Sequence, residues 1–329
     1  VVWPLSASQQ APLRPPSRVA AEKLRAARPG PGPRDKARRL GASMRIGVIG
    51  GSGVYAMEGL QDVREERVST PYGDPSDACI IGRLGDAELV FLPRHGRGHK
   101  FNPSEVNYRA NIFALKLLGV EWCISVSAVG SLKEEIVPGH VVVIDQFIDK
   151  THQRKATFFE KGLVAHVGFG DPVCGTLRGF LLAGAREASA TVHDGGTYVC
   201  MEGPAFSTRA ESLLHKSWGA SVIGMTNMPE AKLAREAEMS YATLAMATDY
   251  DCWHPHHDAV TVDQVVAVLL ANASLARRVV AAAVPKIVAY GKPAPCSNSL
   301  ATAILTQPDA VTAETKRALA PLIGKYMPV

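Results

Sequence analysis

No run of this 329-residue chain is apolar for the roughly 18 to 20 consecutive residues that a bilayer-spanning helix requires, so no such span is expected. No Cys-x-x-Cys occurs among Cys79, Cys123, Cys174, Cys200, Cys252 and Cys296. Their wide spacing lacks the ligand pattern of a zinc site and reads instead as reduced thiols of a cytoplasmic protein. A net positive charge is lacking outside the first 43 residues. That stretch holds nine Lys/Arg against two Asp/Glu, which leaves about −2 of the net +5 for everything after it. The folded part therefore lacks the basic footprint of a nucleic-acid binder. Nor does an internal repeat appear. What remains, at 47% hydrophobic and 20% charged, has the composition of an ordinary globular domain.

Residues 1–43 are rich in Pro, Arg and Ala and are expected to be a disordered basic leader, with the native fold confined to 44–329. A targeting peptide is the other reading of so Arg-rich a stretch, but Pro15-Pro16 and the prolines of 29–33 break any long amphipathic helix. From Met44 onward, β-type runs at 45–49, 88–93, 121–127, 140–146, 197–201, 220–225 and 240–248 alternate with helical patterns at 104–118, 175–189, 208–218, 229–238 and 262–288. Thr208 with Glu211, and Thr261 with Gln264, have the spacing of capping boxes, and Gly119 fits the residue just past a helix end. The alternation predicts an α/β single-domain sandwich with a central mixed β-sheet flanked by helices.

Six motifs carry chemistry, several of them at predicted strand ends. Gly50-Gly51-Ser52-Gly53 follows the first strand; exposed N–H groups and the Ser52 hydroxyl suit an anion, though a plain tight turn has the same composition. It is neither a Walker A loop nor a Rossmann fingerprint. Arg94 and His95 follow a strand, where a guanidinium fork matches phosphate oxygens; a surface ion pair is the alternative. Ser127 and the backbone N–H near Ala128 sit where a buried strand runs into small residues. Phe206 could stack on a flat base or fill the core. Thr226 ends another strand, where ligands of α/β sheets gather. Asp249 and Asp251 are two apart and project the same way if the backbone stays extended, which suits acid/base work or hydrogen bonds to a base edge. No third acidic ligand stands nearby for a metal.

Taken together, GGSG, RHG, NYRANIFALK, SAVGSL, MEGPAFSTRAE, GMTNMPEA and ATDYDCW resemble the trimeric purine nucleoside phosphorylase family over about residues 44–288. The resemblance implies a phosphate site on Ser52, Arg94, His95, Ser127, Ala128 and Thr226, a ribose contact at Met225 and a base-pocket aromatic at Phe206. Ser207 and Val262 match positions that set substrate choice, and His166 matches a residue that reaches the site from a neighbouring subunit. Gly168-Phe169-Gly170 departs from eukaryotic relatives in that loop. The implied assembly is a homotrimer with active sites at its interfaces, taking a small-molecule nucleoside and phosphate, with no nucleic acid or membrane partner.

Where relatives preferring 6-oxopurines carry Asn, this chain has Asp249 and Asp251, and carboxylates accept from a 6-amino group. Val262 and Val265, one helical turn apart, would suit an apolar 5′ substituent, or simply pack the core. The implied reaction is phosphorolysis of S-methyl-5′-thioadenosine to adenine and 5-methylthioribose 1-phosphate, with Asp249 as the acid and no cofactor or metal beyond phosphate as co-substrate. The competing expectations are a 6-oxopurine nucleoside or methylthioinosine phosphorylase, a water-using nucleosidase, and a nucleoside binder without activity. His254-Pro255-His256-His257 reads as a mobile lid rather than a metal site.

Overall fold

The computed structural model describes residues 44–51, 53–254 and 262–328, without the side chains of 262–267, 269 and 270. The leader, Ser52, Thr261 with its capping box, and the His254–His257 run past its first residue lie outside the described residues.

The fold grows outward from two ten-residue strands, β5 (Trp122–Ser131) and β11 (Ser240–Asp249), which pair in parallel from Ser240↔Trp122 onward. Their side chains are buried almost throughout, because a parallel pair is covered on both faces and reads as a near-continuous apolar run. On the other edge of β5 lie β1 (Met44–Gly50), β4 (Ala87–Pro93), β3 (Cys79–Leu84) and finally β2 (Gln61–Glu66). The outer strand β2 is exposed and charged, as edge strands usually are. Beyond the end of β1, β10 (Val222–Gly224) pairs antiparallel with the last residues of β5, followed by β9 (Thr197–Cys200) and β7 (Gln146–Asp149). β6 (Val141–Val143) joins β11 antiparallel and carries β8 (Val192–Asp194).

Helix α1 (Tyr108–Leu117) packs with α4 (Asn227–Glu236), and α2 (Gly175–Glu187) with α5 (Val262–Ala289). Both pairs contact β11, giving the mixed sheet its helical layers. Helix α3 (Arg209–Ser217) opens at a capping box in which Thr208 and Glu211 bond reciprocally, as expected. The short helices α6 (Ala313–Ala318) and α7 (Ala320–Ile323) end the chain.

Three sequence expectations change. Helix α1 starts at Tyr108 rather than 104, because the Asn102 side chain accepts from the N–H groups of Ser104 and Glu105 and holds a turn there. The run 140–146 divides into β6 and β7. Strands β2, β3 and β8 and the helices after 289 had no counterpart in the predicted pattern.

One gap in the pairing matters for function. β1 leaves β5 at Ile49↔Ser125, and β10 meets it only at Gly130 and Ser131. On that edge, residues 126–129 have no strand partner among the described residues, so the backbone of Ser127 and Ala128 is left unpaired by any strand there.

Candidate active site

The candidate phosphate end begins where β4 stops. Arg94 donates its backbone N–H to the Gly50 carbonyl at 3.0 Å, tying the end of β4 to the glycine turn after β1. None of Gly50, Gly51 and Gly53 takes a left-handed φ; a side chain at Gly53 would meet Ala273 of α5. Close packing, rather than a tight turn, is what requires glycine at that position.

The Arg94 side chain corrects the simple fork expectation. It is 2% exposed, and its Nε and Nη2 grip Glu230 at 2.7 and 3.0 Å. Nη2 also donates to Ser125 Oγ at 2.7 Å and Nη1 to the Val126 carbonyl at 3.1 Å. Four of the five N–H groups of the guanidinium are thereby used, and only one on Nη1 is left for a ligand. Glu230 Oε1 accepts in addition from Ser125 and Tyr241, at 2.7 and 2.8 Å, and Asn227 donates to both hydroxyls.

His95 is not the second cation that the motif suggested. Burial, followed by the neighbouring Arg94 charge, pulls its pKa down to about 4, so the ring is neutral at neutral pH. Its Nδ1 lies 2.8 Å from the Phe101 carbonyl, which can only accept. The proton therefore sits on Nδ1, and Nε2 offers a lone pair. An anion here meets one spare guanidinium N–H and a group of hydroxyls rather than two positive charges. Those hydroxyls are Ser127 Oγ, which lies 3.2 Å from the Tyr198 hydroxyl and 3.4 Å from Thr226 Oγ1. Gly224 must be glycine, because any Cβ would collide with the Tyr198 hydroxyl.

The candidate base end lies where β11 finishes. Asp249 Oδ2 accepts from Thr248 Oγ1 at 2.6 Å, and Oδ1 from the backbone N–H of Asp251 at 2.7 Å. The extended backbone assumed for this pair is absent: Asp251 takes φ 51° in a turn. The two acids are neighbours because that turn folds one back on the other. Burial raises both pKa values above the ordinary carboxylate range. Gly130 makes room beneath them, since a Cβ there would stand 2.9 Å from Asp249 Oδ1.

Asp251 Oδ2 is buried without a hydrogen-bond partner, as are Ser212 Oγ and His215 Nδ1. The hydroxyls of Ser207 and Ser212 lie beside the Asp251 carboxylate. Ser212 and His215 are the two buried residues of α3, whereas Leu213, Leu214 and the following Trp218 are 42–50% exposed. The helix therefore turns its polar face to the acids and its apolar face outward, the reverse of an ordinary surface helix.

Phe206 is 47% exposed in the single chain. The Met225 side chain lies against Gly203, where a Cβ would meet its sulfur at 2.6 Å. His166 is exposed, and its backbone N–H donates to the Ala303 carbonyl at 2.8 Å. Val262 and Val265 occupy the first turn of α5, and their side chains lie outside the described set, as does Ser52. His254 bonds Glu134 at 3.1 Å. Among the described residues no cluster of three His, Cys, Asp or Glu could hold a metal ion.

The two ends share β5. Ser127 at the hydroxyl group and Gly130 beneath the acids are three residues apart, about 10 Å at the usual rise per residue. Sequence reasoning missed Glu230, Tyr198, Ser212, His215 and Arg154. Only Glu230 carried a signal, as the acid of the GMTNMPEA block.

Residues 45–285 match the family model described as the phosphorylase superfamily. The chain is 59% identical over 283 residues to S-methyl-5′-thioadenosine phosphorylase of Geobacter sulfurreducens, spanning 86% of this chain and 99% of that protein. It is 59% identical over 284 residues to the protein of the same name from Koribacter versatilis, at 85% and 96% coverage. Among solved structures it resembles a methylthioadenosine phosphorylase from an antarctic soil metagenomic library, with a TM-score of 0.82, 48% identity, and 85% and 99% of the two chains covered. It also resembles the Schistosoma mansoni methylthioadenosine phosphorylase in complex with adenine, with a TM-score of 0.72, 40% identity, and 75% and 92% coverage.

Proposed function

The chain belongs to the phosphorylase superfamily, and from that premise we propose that it cleaves S-methyl-5′-thioadenosine with inorganic phosphate, releasing adenine and 5-methylthioribose 1-phosphate. The observation that carries this reading is the buried acid pair at the end of β11, with an unpartnered Asp251 oxygen, on the same strand edge as the Ser127 hydroxyl cluster. A buried carboxylate oxygen still open to a donor is complementary to an exocyclic amine and unfavourable to a 6-oxo group.

In this mechanism the C1′–N9 bond lengthens first and builds oxocarbenium-like charge on the sugar, as in glycoside cleavage. Phosphate, held by the spare Arg94 N–H and the hydroxyls of Ser127 and Thr226, stabilises that charge and forms the new C1′–O bond. Asp249, whose pKa is raised by burial, hands a proton to N7 of the departing adenine. The phosphate hydroxyl faces the lone pair on His95 Nε2 and gives up its proton as the ester forms; that proton passes to solvent and Asp249 is reprotonated from it, so one proton leaves phosphate and one joins adenine. Met225 lies against the ribose, Phe206 and Ser207 border the base, and the choice of the 5′ substituent is assigned to Val262 and Val265. Ser52 and the Ala128 N–H complete the phosphate site. Phosphate is the co-substrate, and no further cofactor enters.

The catalytic unit is residues 44–329, acting in the cytoplasm as a homotrimer in which His166 reaches a neighbouring site. Exposed apolar side chains support that assembly: Val164 and Leu305 beside His166, and Phe206, Leu213, Leu214 and Trp218 near the base pocket. Adenine release from methylthioadenosine, adenosine and methylthioinosine, each with and without phosphate, tests the proposal. Phosphate-dependent release with methylthioadenosine preferred is expected. Cleavage without phosphate, or preference for methylthioinosine, would overturn it.

A further inference from the structure

Arg154 lies in a polar, basic stretch that looks like surface, yet its side chain is 1% exposed. Its Nη2 donates to the Glu202 carbonyl at 2.6 Å, and its Nε to Glu202 Oε1 at 3.2 Å. Its Nη1 donates to the carbonyls of Met225 and Met228, both at 2.6 Å, and reaches the Tyr108 hydroxyl at 3.1 Å. The Glu202 carboxylate is itself held by the N–H groups of His152 and Gln153 and by the Ser104 hydroxyl. One buried cation thus joins the strand end leading to Phe206 and Ser207, the span Met225–Met228, and the start of α1.

A planar trans peptide sends its carbonyl and the next N–H in opposite directions. With the Met225 carbonyl fixed on Arg154, the Thr226 N–H faces away from it, toward the Tyr198 hydroxyl and the Ser127–Thr226 cluster. The second bond, at Met228, anchors the far end of the same four-residue span. The guanidinium touches none of the site's open surface, so its influence passes through these carbonyls.

We propose that Arg154 is a positioning residue for both substrates: it aims the Met225–Thr226 backbone at sugar and phosphate and sets the base-pocket loop after Glu202 in register with it. This builds on the phosphorolysis reading above. Lysine cannot serve the Glu202, Met225 and Met228 carbonyls at once, because its donors radiate from one nitrogen.

The test compares wild type with Arg154→Lys, Arg154→Gln and Glu202→Gln; one soluble Arg154 variant is sufficient. KM for methylthioadenosine and for phosphate, kcat, thermal midpoint, and calorimetric phosphate affinity without nucleoside are measured for each. Misaiming by an ångström predicts a kcat loss of about 10²-fold, with both KM values raised about tenfold or more. Glu202→Gln keeps all three carbonyl bonds and should leave both KM values within about threefold, even where its midpoint falls. If the Arg154 variants lose thermal stability but keep both KM values and phosphate affinity within about twofold, the positioning role is wrong. Equal kinetic damage from Glu202→Gln would also overturn it, by making the effect general loosening. Should wild type release no adenine, the functional reading fails, and phosphate affinity alone then decides the role of Arg154.

Discussion

The two ends of the cleft are built on opposite principles. Around Arg94 most polar groups are already satisfied: Glu230, Ser125, Tyr241 and Asn227 form a buried network that leaves over one guanidinium N–H and the Asn227 Oδ1. Around Asp251 three buried polar atoms have no partner, and the helix beside them exposes leucines. A largely satisfied network sets its geometry before a ligand arrives, which on the proposed function suits an anion that must be held in line with the anomeric carbon. An unsatisfied one leaves bonds for the ligand to make, so that the wrong base edge strands a buried group. On the proposed function, rigidity is concentrated at the nucleophile, and selectivity at the leaving group.

The sharpest way to break this contrast is Asp249→Asn. Losing the general acid should cut kcat by about 10²- to 10⁴-fold and weaken the preference for adenine over hypoxanthine nucleosides, read by product release. In wild type, kcat should fall as pH rises through the raised pKa of Asp249, because only the protonated form donates.

Glu230→Gln attacks the largely satisfied end. It leaves Arg94 buried with an uncompensated charge, and breaking a buried pair costs about 3–5 kcal/mol. A large fall in thermal midpoint is expected, together with weaker phosphate binding. An unchanged phosphate KM would mean that the network does not aim Arg94.

Gly130→Ala should separate the two ends. Its methyl group would press on the acid pair, raising the nucleoside KM about tenfold while the phosphate KM stays nearly constant. Equal changes in both constants would show that the ends are not independent.

Stability against pH gives a milder contrast. The folded-state pKa of His95, about 4, lies below the unfolded value of about 6.5, so the folded form binds fewer protons in that window and stability drops as pH falls through it. Glu236, buried where it accepts from Thr157 and Phe158, is raised to about 7. Its contribution is complete in acid and is lost as pH rises toward and past 7. Glu236→Gln should remove that second slope in melting curves taken between pH 5 and 8, and leave the His95 slope intact.

The smallest effect on the single subunit is expected from Leu213→Ser with Leu214→Ser. Exposed substitutions change the stability of a fold by about 0.5 kcal/mol or less. Sedimentation should nevertheless show a weakened assembly if the outward face of α3 meets another copy.

The long strands β1, β4, β5 and β11 were legible because apolar runs and flanking glycines are local signals. Charged β2 and three-residue β8 were not, since each owes its pairing to a neighbour rather than to its own pattern. The same division runs through the site. Clustering of the motifs at strand ends follows from sequence, because each motif abuts its own strand. The partner of Arg94 lies 136 residues away and that of His95 only six, yet neither bond is a periodicity. The register of β4 beside β1, and the packing of α4 under β5, choose which oxygen meets the guanidinium and which ring nitrogen keeps its proton. The amino-acid sequence by itself determined the α/β alternation, the family motifs and the two acids. Tertiary structure alone decided that one cation is already neutralised, that one histidine offers a lone pair, and that α3 faces inside out. Hydrogen bonding and burial depend on what the rest of the chain brings within 3 Å, and no local pattern records that.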